Sequence, residues 1–272
     1  METAVQNYAS YRSSPGAWML GKFIVPVSWI QEFEYAARTL LRNVKADEPW
    51  SLTVIGSANL RADVAALQQF NKEHSDGKIR IDSFEVKVSA AAEVVDASAH
   101  IPRDFLTFFE VPLNRNVGSL ITAISKAGAC AKVRTGGVNA DMTPLVADLA
   151  HFLSACAAAD VPIKATAGLH HALCGAYKLT YEENSPTGKM YGFLNLFLAA
   201  AFARKGMEPK LLAQLLEERS ILSIQVRDDG IVWRSHELNE RDLIQTRHRF
   251  LVAFGSCSFE EPIGELEKLG LM

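Results

Sequence analysis

The sequence predicts an α/β fold of the (β/α)8, TIM-type barrel class, on three observations. Short β-rich runs alternate with helical runs along most of the chain, the order that builds a parallel sheet with helices outside it. Eight strand candidates fit within 272 residues, close to the roughly 250 residues of a single-domain barrel. No G-x-G-x-x-G follows the first strand, and SLTVIGSANL supplies none. That disfavours the competing dinucleotide-binding sheet.

Each element has its own signal. Residues 1–17 are polar with a Ser-Ser-Pro-Gly cluster and read as a loose arm, which leaves 18–272 as one barrel domain. KFIVPV (22–27) is the first strand, and WIQEFEYAARTLLRNV (29–44) has helical spacing behind Ser28 as N-cap. SLTVIG (51–56) and IDSFEVKVS (81–89) are strands, followed by helices over 61–74 and 90–99. FLTFFEVPL (105–113) precedes a helix over 117–128 that a glycine stops. CAKVRTGG (130–137) leads into a helix over 143–160, with Thr143 as N-cap and Pro144 at its first position.

IKATAGL (163–169) is the sixth strand. The polar segment 174–190 exceeds ordinary loop length and is a candidate lid. Helices follow over 191–205 and 209–219. A seventh strand is expected over LSIQV (222–226), continued by IVW (231–233). A helix over 239–250, a final strand LVAFGS (251–256) and a short closing helix in PIGELEKLGLM complete the barrel.

Composition narrows the function classes. At 49% hydrophobic, 22% charged and a net charge of −3, nothing favours a nucleic-acid or anionic-membrane surface. The N-terminus has no apolar signal-peptide core. The apolar run YGFLNLFLAAAFA (191–203) is too short to span a bilayer and reads as a buried helix. Cys130, Cys156, Cys174 and Cys257 have no C-x-x-C spacing and read as reduced thiols in a cytoplasmic protein. Barrels commonly self-associate, and the aromatic N-terminal region could serve that purpose.

Period 2 places side chains on faces. Glu85 and Lys87 share one face of their strand, opposite Phe84, Val86 and Val88. Glu110 lies opposite Phe109 and Val111, Lys132 and Arg134 opposite Ala131 and Val133, and Lys164 and Thr166 opposite Ile163, Ala165 and Ala167. The apolar face must pack on helices, so the charged face is expected to line the lumen. Two negatives and four positives there sum to +2, which pairs internal charges and still attracts an anion. An ion-pair network filling the barrel is the structural alternative.

The C-terminal ends of barrel strands carry active sites. Thr135, Gly136 and Gly137 follow one strand, Gly168, His170 and His171 the next, and Gly255, Ser256, Cys257 and Ser258 the last. Small residues there can present backbone N–H groups to phosphate. A lysine crowded by cations and partly desolvated becomes a nucleophile near neutral pH. Lys132, near Arg134 and Lys164, fits, with Glu110 or Glu85 shuttling protons.

KVRTGGVNADMTP followed by IKATAGLHH resembles the deoxyribose-phosphate aldolase family of class I aldolases. The resemblance implies Lys132 as the Schiff-base lysine and Lys164 as its partner, with Thr135 and Gly136 matching the family's T-G. The wider pattern, including GFLNLFLAAA and FGSCSFEEP, is similar to a bacterial barrel family to which no activity attaches. That similarity implies a bacterial cytoplasmic barrel.

Rival chemistries are weaker in the sequence. The H-x-H of metal-dependent barrel hydrolases is missing from KFIVP, and acidic residues at strand ends are sparse, so no metal or other cofactor is expected. His170 and His171 are acid/base or anion-binding candidates. Cys257 reads as a small loop residue, since no partner for a nucleophilic thiol is placed.

The expectation is therefore an enzyme acting on a small anionic, carbonyl-bearing metabolite by lyase chemistry. Lys132, Lys164, Glu110 and Glu85 are its catalytic candidates. Lys87, Arg134, Thr135, Gly136, Gly137, Thr166, His170, His171, Gly255 and Ser256 are its substrate-binding candidates. A non-covalent anion-binding barrel, either phosphoribosyltransferase-like or a metabolite-binding protein, is the alternative.

Overall fold

A computed structural model describes residues 1–113 and 117–272. Among these, seven strands form one parallel sheet flanked by helices, in the order β1-β2-β3-β4-β5-β6-β12. The chain divides into two compact units, Met1–Glu110 and Val111–Met272.

In the first unit the elements run α1 (Glu2–Arg12), β1 (Phe23–Pro26), α2 (Ile30–Ala37), β2 (Trp50–Ile55), α3 (Leu60–Glu73), β3 (Ile79–Lys87), α4 (Ala91–His100) and β4 (Leu106–Glu110). The expected loose arm is helix α1 for most of its length. Val5 and Tyr8, three residues apart on one helical face, are both buried. The Tyr8 ring meets those of Phe23 and Trp50 edge-on. Arg12 donates to the Glu48 carbonyl at 2.8 Å. These contacts outweigh the polar composition of the segment. On β3, alternation places Phe84 and Val86 on one face and Ser83 and Glu85 on the other, and all four are buried.

The second unit contains α5 (Val117–Ala127), β5 (Cys130–Arg134), α6 (Val146–Ala158), β6 (Ile163–Thr166), β7 (Gly175–Lys178), β8 (Thr187–Met190), α7 (Phe193–Arg204), α8 (Pro209–Leu216), β9 (Ile224–Arg227), β10 (Gly230–Trp233), β11 (His236–Asn239), α9 (Glu240–Gln245), β12 (Leu251–Gly255) and α10 (Glu260–Lys268). Helix α7 is buried nearly all round, as a core helix of uniform hydrophobicity must be. Its Asn195, 0% exposed, accepts from the Cys174 N–H and donates to the carbonyls of Leu215 and Glu218. One amide thereby ties three segments together. Among the described residues, no helix is long and apolar enough to cross a membrane.

The structure departs from the expected eight strands at the seventh. Residues 224–227 and 230–233 pair antiparallel, with β11 on the other side of β10. The turn explains this. Asp228 and Asp229 form a two-residue loop, and so short a connection joins only antiparallel strands, since a parallel pair needs a long crossover. A side chain at Gly230 would also overlap the Leu238 carbonyl oxygen, so glycine permits the close approach of β11. The candidate lid is likewise a hairpin, with β7 and β8 antiparallel. Helix α6 begins at Val146 rather than near Thr143, because the Thr143 hydroxyl donates to the Lys189 carbonyl at 3.1 Å instead of capping. The final helix starts two residues before the expected Pro262.

Candidate active site

The second unit gathers several predicted site residues at the C-terminal ends of β5, β6 and β12. Lys132 pairs in register with Lys164, Arg134 with Thr166, and Thr166 with Gly255. The register puts Lys132, Arg134, Lys164 and Thr166 on one face, as alternation predicts. Lys132 and Lys164 are 3% and 4% exposed, and each has interaction partners. Arg134 is exposed at the strand end. The Thr166 Oγ1 is buried without a hydrogen-bond partner.

In the first unit, Glu85 is buried, Lys87 exposed and Glu110 half-buried, and Lys87 pairs in register with Glu110.

The turn after β6 aims the histidines. Ala167 and Gly168 both have left-handed backbones, φ 72° and 74°. For alanine that conformation costs about 1 kcal/mol, a kind of strain that clusters at functional sites. It is held from β5: the Thr135 hydroxyl donates to the Ala167 carbonyl at 2.7 Å. A side chain at Gly136 would press on Gly168 Cα at 3.3 Å, so the two strand-end turns pack backbone against backbone. A side chain at Gly137 would overlap Met142.

Three residues beyond Ala167, the imidazole of His170 meets two partners. Its Nε2 lies 3.3 Å from the Cys257 Sγ. Its Nδ1 lies 2.5 Å from the Glu261 Oε2. Cys257 follows β12 and Glu261 lies in the first turn of α10. The tip of the β7–β8 hairpin adds Tyr181, whose hydroxyl donates to the same Glu261 oxygen at 2.9 Å and lies 3.6 Å from the Cys257 Sγ. Ser256 Oγ is 3.5 Å from His170 Nδ1 and accepts the Ser258 N–H.

His171 turns elsewhere. Its Nδ1 is 3.6 Å from the Glu265 Oε1, and its ring stacks on Tyr177 with centroids 3.5 Å apart. Glu261 and Glu265 are one helical turn apart, so α10 presents one carboxylate to each of the consecutive histidines.

Proton affinities follow from these contacts. The hydrogen bond to Cys257 raises the His170 pKa to about 9, helped by Glu261 and opposed by burial. The same hydrogen bond from His170 lowers the Cys257 pKa; burial works against it, and Tyr181 assists. Burial first, then the hydrogen bonds to Cys257 and Glu261, raise the Tyr181 pKa. The lowered thiol pKa and the raised imidazole pKa both favour a thiolate beside an imidazolium that a carboxylate orients. This is how a cysteine becomes nucleophilic.

All four cysteines are free, and Cys257 alone is exposed. Among the described residues, no three His, Cys, Asp or Glu side chains are grouped to hold a metal ion.

Sequence reasoning placed His170 and Ser256 at this site but missed the roles of Cys257, Glu261 and Tyr181. One signal was present. Ser258-Phe259-Glu260-Glu261 matches the S-x-x-E pattern that opens a helix, and the Ser258 hydroxyl does accept the Glu261 N–H at 3.2 Å. The Glu261 carboxylate, rather than folding back on the helix start, reaches His170. No family model, curated protein or solved structure matches this chain.

Proposed function

We propose that this protein is a cysteine-nucleophile enzyme of acyl transfer or hydrolysis, with Cys257 as nucleophile, His170 as acid and base, and Glu261 as the group that orients His170. One observation carries the reading: His170 bridges the Cys257 thiol at 3.3 Å and the Glu261 carboxylate at 2.5 Å. Nucleophile, base and orienter within hydrogen-bond reach are the geometric signature of covalent catalysis. Cys257 attacks an acyl carbonyl, and the His170 Nε2 proton passes to the leaving group. His170 then takes a proton from water as the thioester is hydrolysed. In the barrel class expected from sequence, sites lie at the C-terminal ends of parallel strands, where Cys257 and His170 sit. Reduced thiols suit a cytoplasmic location.

The second reading is the Schiff-base enzyme acting on a small anionic carbonyl metabolite. The registered pair of buried lysines, Lys132 and Lys164, favours it, since a neighbouring cation and desolvation both lower an amine's pKa.

One experiment separates the two. The protein is incubated with p-nitrophenyl acetate, and in parallel with small aldehydes and keto acids under borohydride, and adducts are mapped by mass spectrometry. Acetyl on Cys257, absent in Cys257→Ala, is expected. A reduced adduct on Lys132 with no acylation of Cys257 would reverse the order of the readings.

A further inference from the structure

We propose that the Tyr181 hydroxyl is the hydrogen-bond donor to the oxyanion formed when Cys257 attacks an acyl carbon, so that the β7–β8 hairpin completes the catalytic site. The inference rests on the acyl-transfer reading above. When the Sγ–C bond forms, the carbonyl π pair moves onto oxygen, which then needs a donor about 2.7–3.1 Å away. That oxygen is one bond from the carbon attached to Sγ, so its donor must lie close to the sulfur. The Tyr181 hydroxyl is 3.6 Å from Sγ.

Two nearby backbone donors are occupied. The Ser258 N–H goes to the Ser256 hydroxyl, and the Glu261 N–H to that of Ser258. The phenol keeps its proton, because its pKa is raised. At rest its O–H points to Glu261 Oε2. During attack it turns to the oxyanion, while His170 remains on the carboxylate. Tyr181 transfers no proton. The oxyanion collapses, the leaving group departs with the His170 proton, and the hydroxyl returns to Glu261. The thiol, imidazole and carboxylate come from the ends of β6 and β12 and the start of α10. The hairpin, long enough to read as a lid in sequence, then contributes the oxyanion donor.

The test uses two electrophiles. Iodoacetamide alkylates a thiolate at a saturated carbon and forms no oxyanion, whereas p-nitrophenyl acetate forms one. Rates of both are measured for wild type and Tyr181→Phe on the plateau of each protein's alkylation pH profile. The expected result is alkylation within about twofold of wild type and acylation slowed about 100-fold, the usual loss for one oxyanion donor. Acylation slowed less than about threefold, or both reactions slowed equally, would overturn the role of Tyr181; in the latter case it only positions the thiolate and its partners. A wild type acylated no faster than Cys257→Ala would overturn the acyl-transfer reading itself. That failure shows in the wild type, so it is distinct from a failure of Tyr181. Alkylation also reports whether the variant's site is folded.

Discussion

Cys257 and His170 set each other's protonation, and this fixes the pH behaviour of the site. The thiol's pKa is lowered by the imidazolium and the imidazole's is raised to about 9 by the thiolate. As pH rises through the lowered thiol value, the thiolate forms and nucleophilicity appears. As pH rises further through about 9, His170 loses the proton it must give the leaving group. Acyl transfer from an amide or alkyl ester, whose leaving group must be protonated, therefore follows a bell, while alkylation, which needs no acid, rises to a plateau and stays there. In His170→Gln the thiol returns toward its ordinary pKa of about 8.5. Alkylation at about pH 6 should fall, with little change at about pH 9.5, where either thiol is ionised. Equal alkylation of both proteins at the lower pH would show that the imidazole does not activate the sulfur.

At the scale of elements, Asn195 shows how the hairpin and the helices are held. Its amide accepts from Cys174, just before β7, and donates to the last turn of α8 and to the segment beyond it. Asn195→Ala strands the buried Cys174 N–H and takes a donor from the Glu218 carbonyl, while the Leu215 carbonyl keeps the Glu218 N–H; an unsatisfied buried group costs about 1–3 kcal/mol. The variant should unfold at lower denaturant concentration, with a loss of about 1–3 kcal/mol. Because Cys174 opens the hairpin, acylation of Cys257 should weaken more than its alkylation does. An unchanged unfolding midpoint would mean that water replaces the amide. Element boundaries that sequence misplaced have local causes of the same kind. Thr143 spends its hydroxyl on Lys189 rather than on a helix end, and the Asp228-Asp229 turn forces antiparallel pairing where a parallel strand was expected.

Over the whole chain, the distribution of thiols is the simplest check on the fold. Cys130, Cys156 and Cys174 are buried in the second unit, and Cys257 is exposed. Burial also raises the pKa of each buried thiol, so two effects suppress their reaction. The native protein should react rapidly with a disulfide reagent at one thiol, identified as Cys257, and at all four once unfolded. Two or more fast thiols in the native state would contradict the packing around β5, α6 and β7.

The sequence by itself determined the strand–helix alternation, the seven strands of the parallel sheet in order, and the faces on which Lys132, Lys164, Glu85 and their neighbours lie. These depend on periodicity and turn chemistry, which act over a few residues. It also brought His170 and Ser256 to strand ends. Only the tertiary structure decided that Cys257 meets His170 across 87 residues, that Glu261 meets it across 91, and that Tyr181 touches Glu261 from 80 residues away. No local pattern encodes such meetings. They follow from β6 and β12 being sheet neighbours, from α10 docking beside them, and from a hairpin tip that reaches over both, and so the chemistry of the site became legible only when the chain was folded.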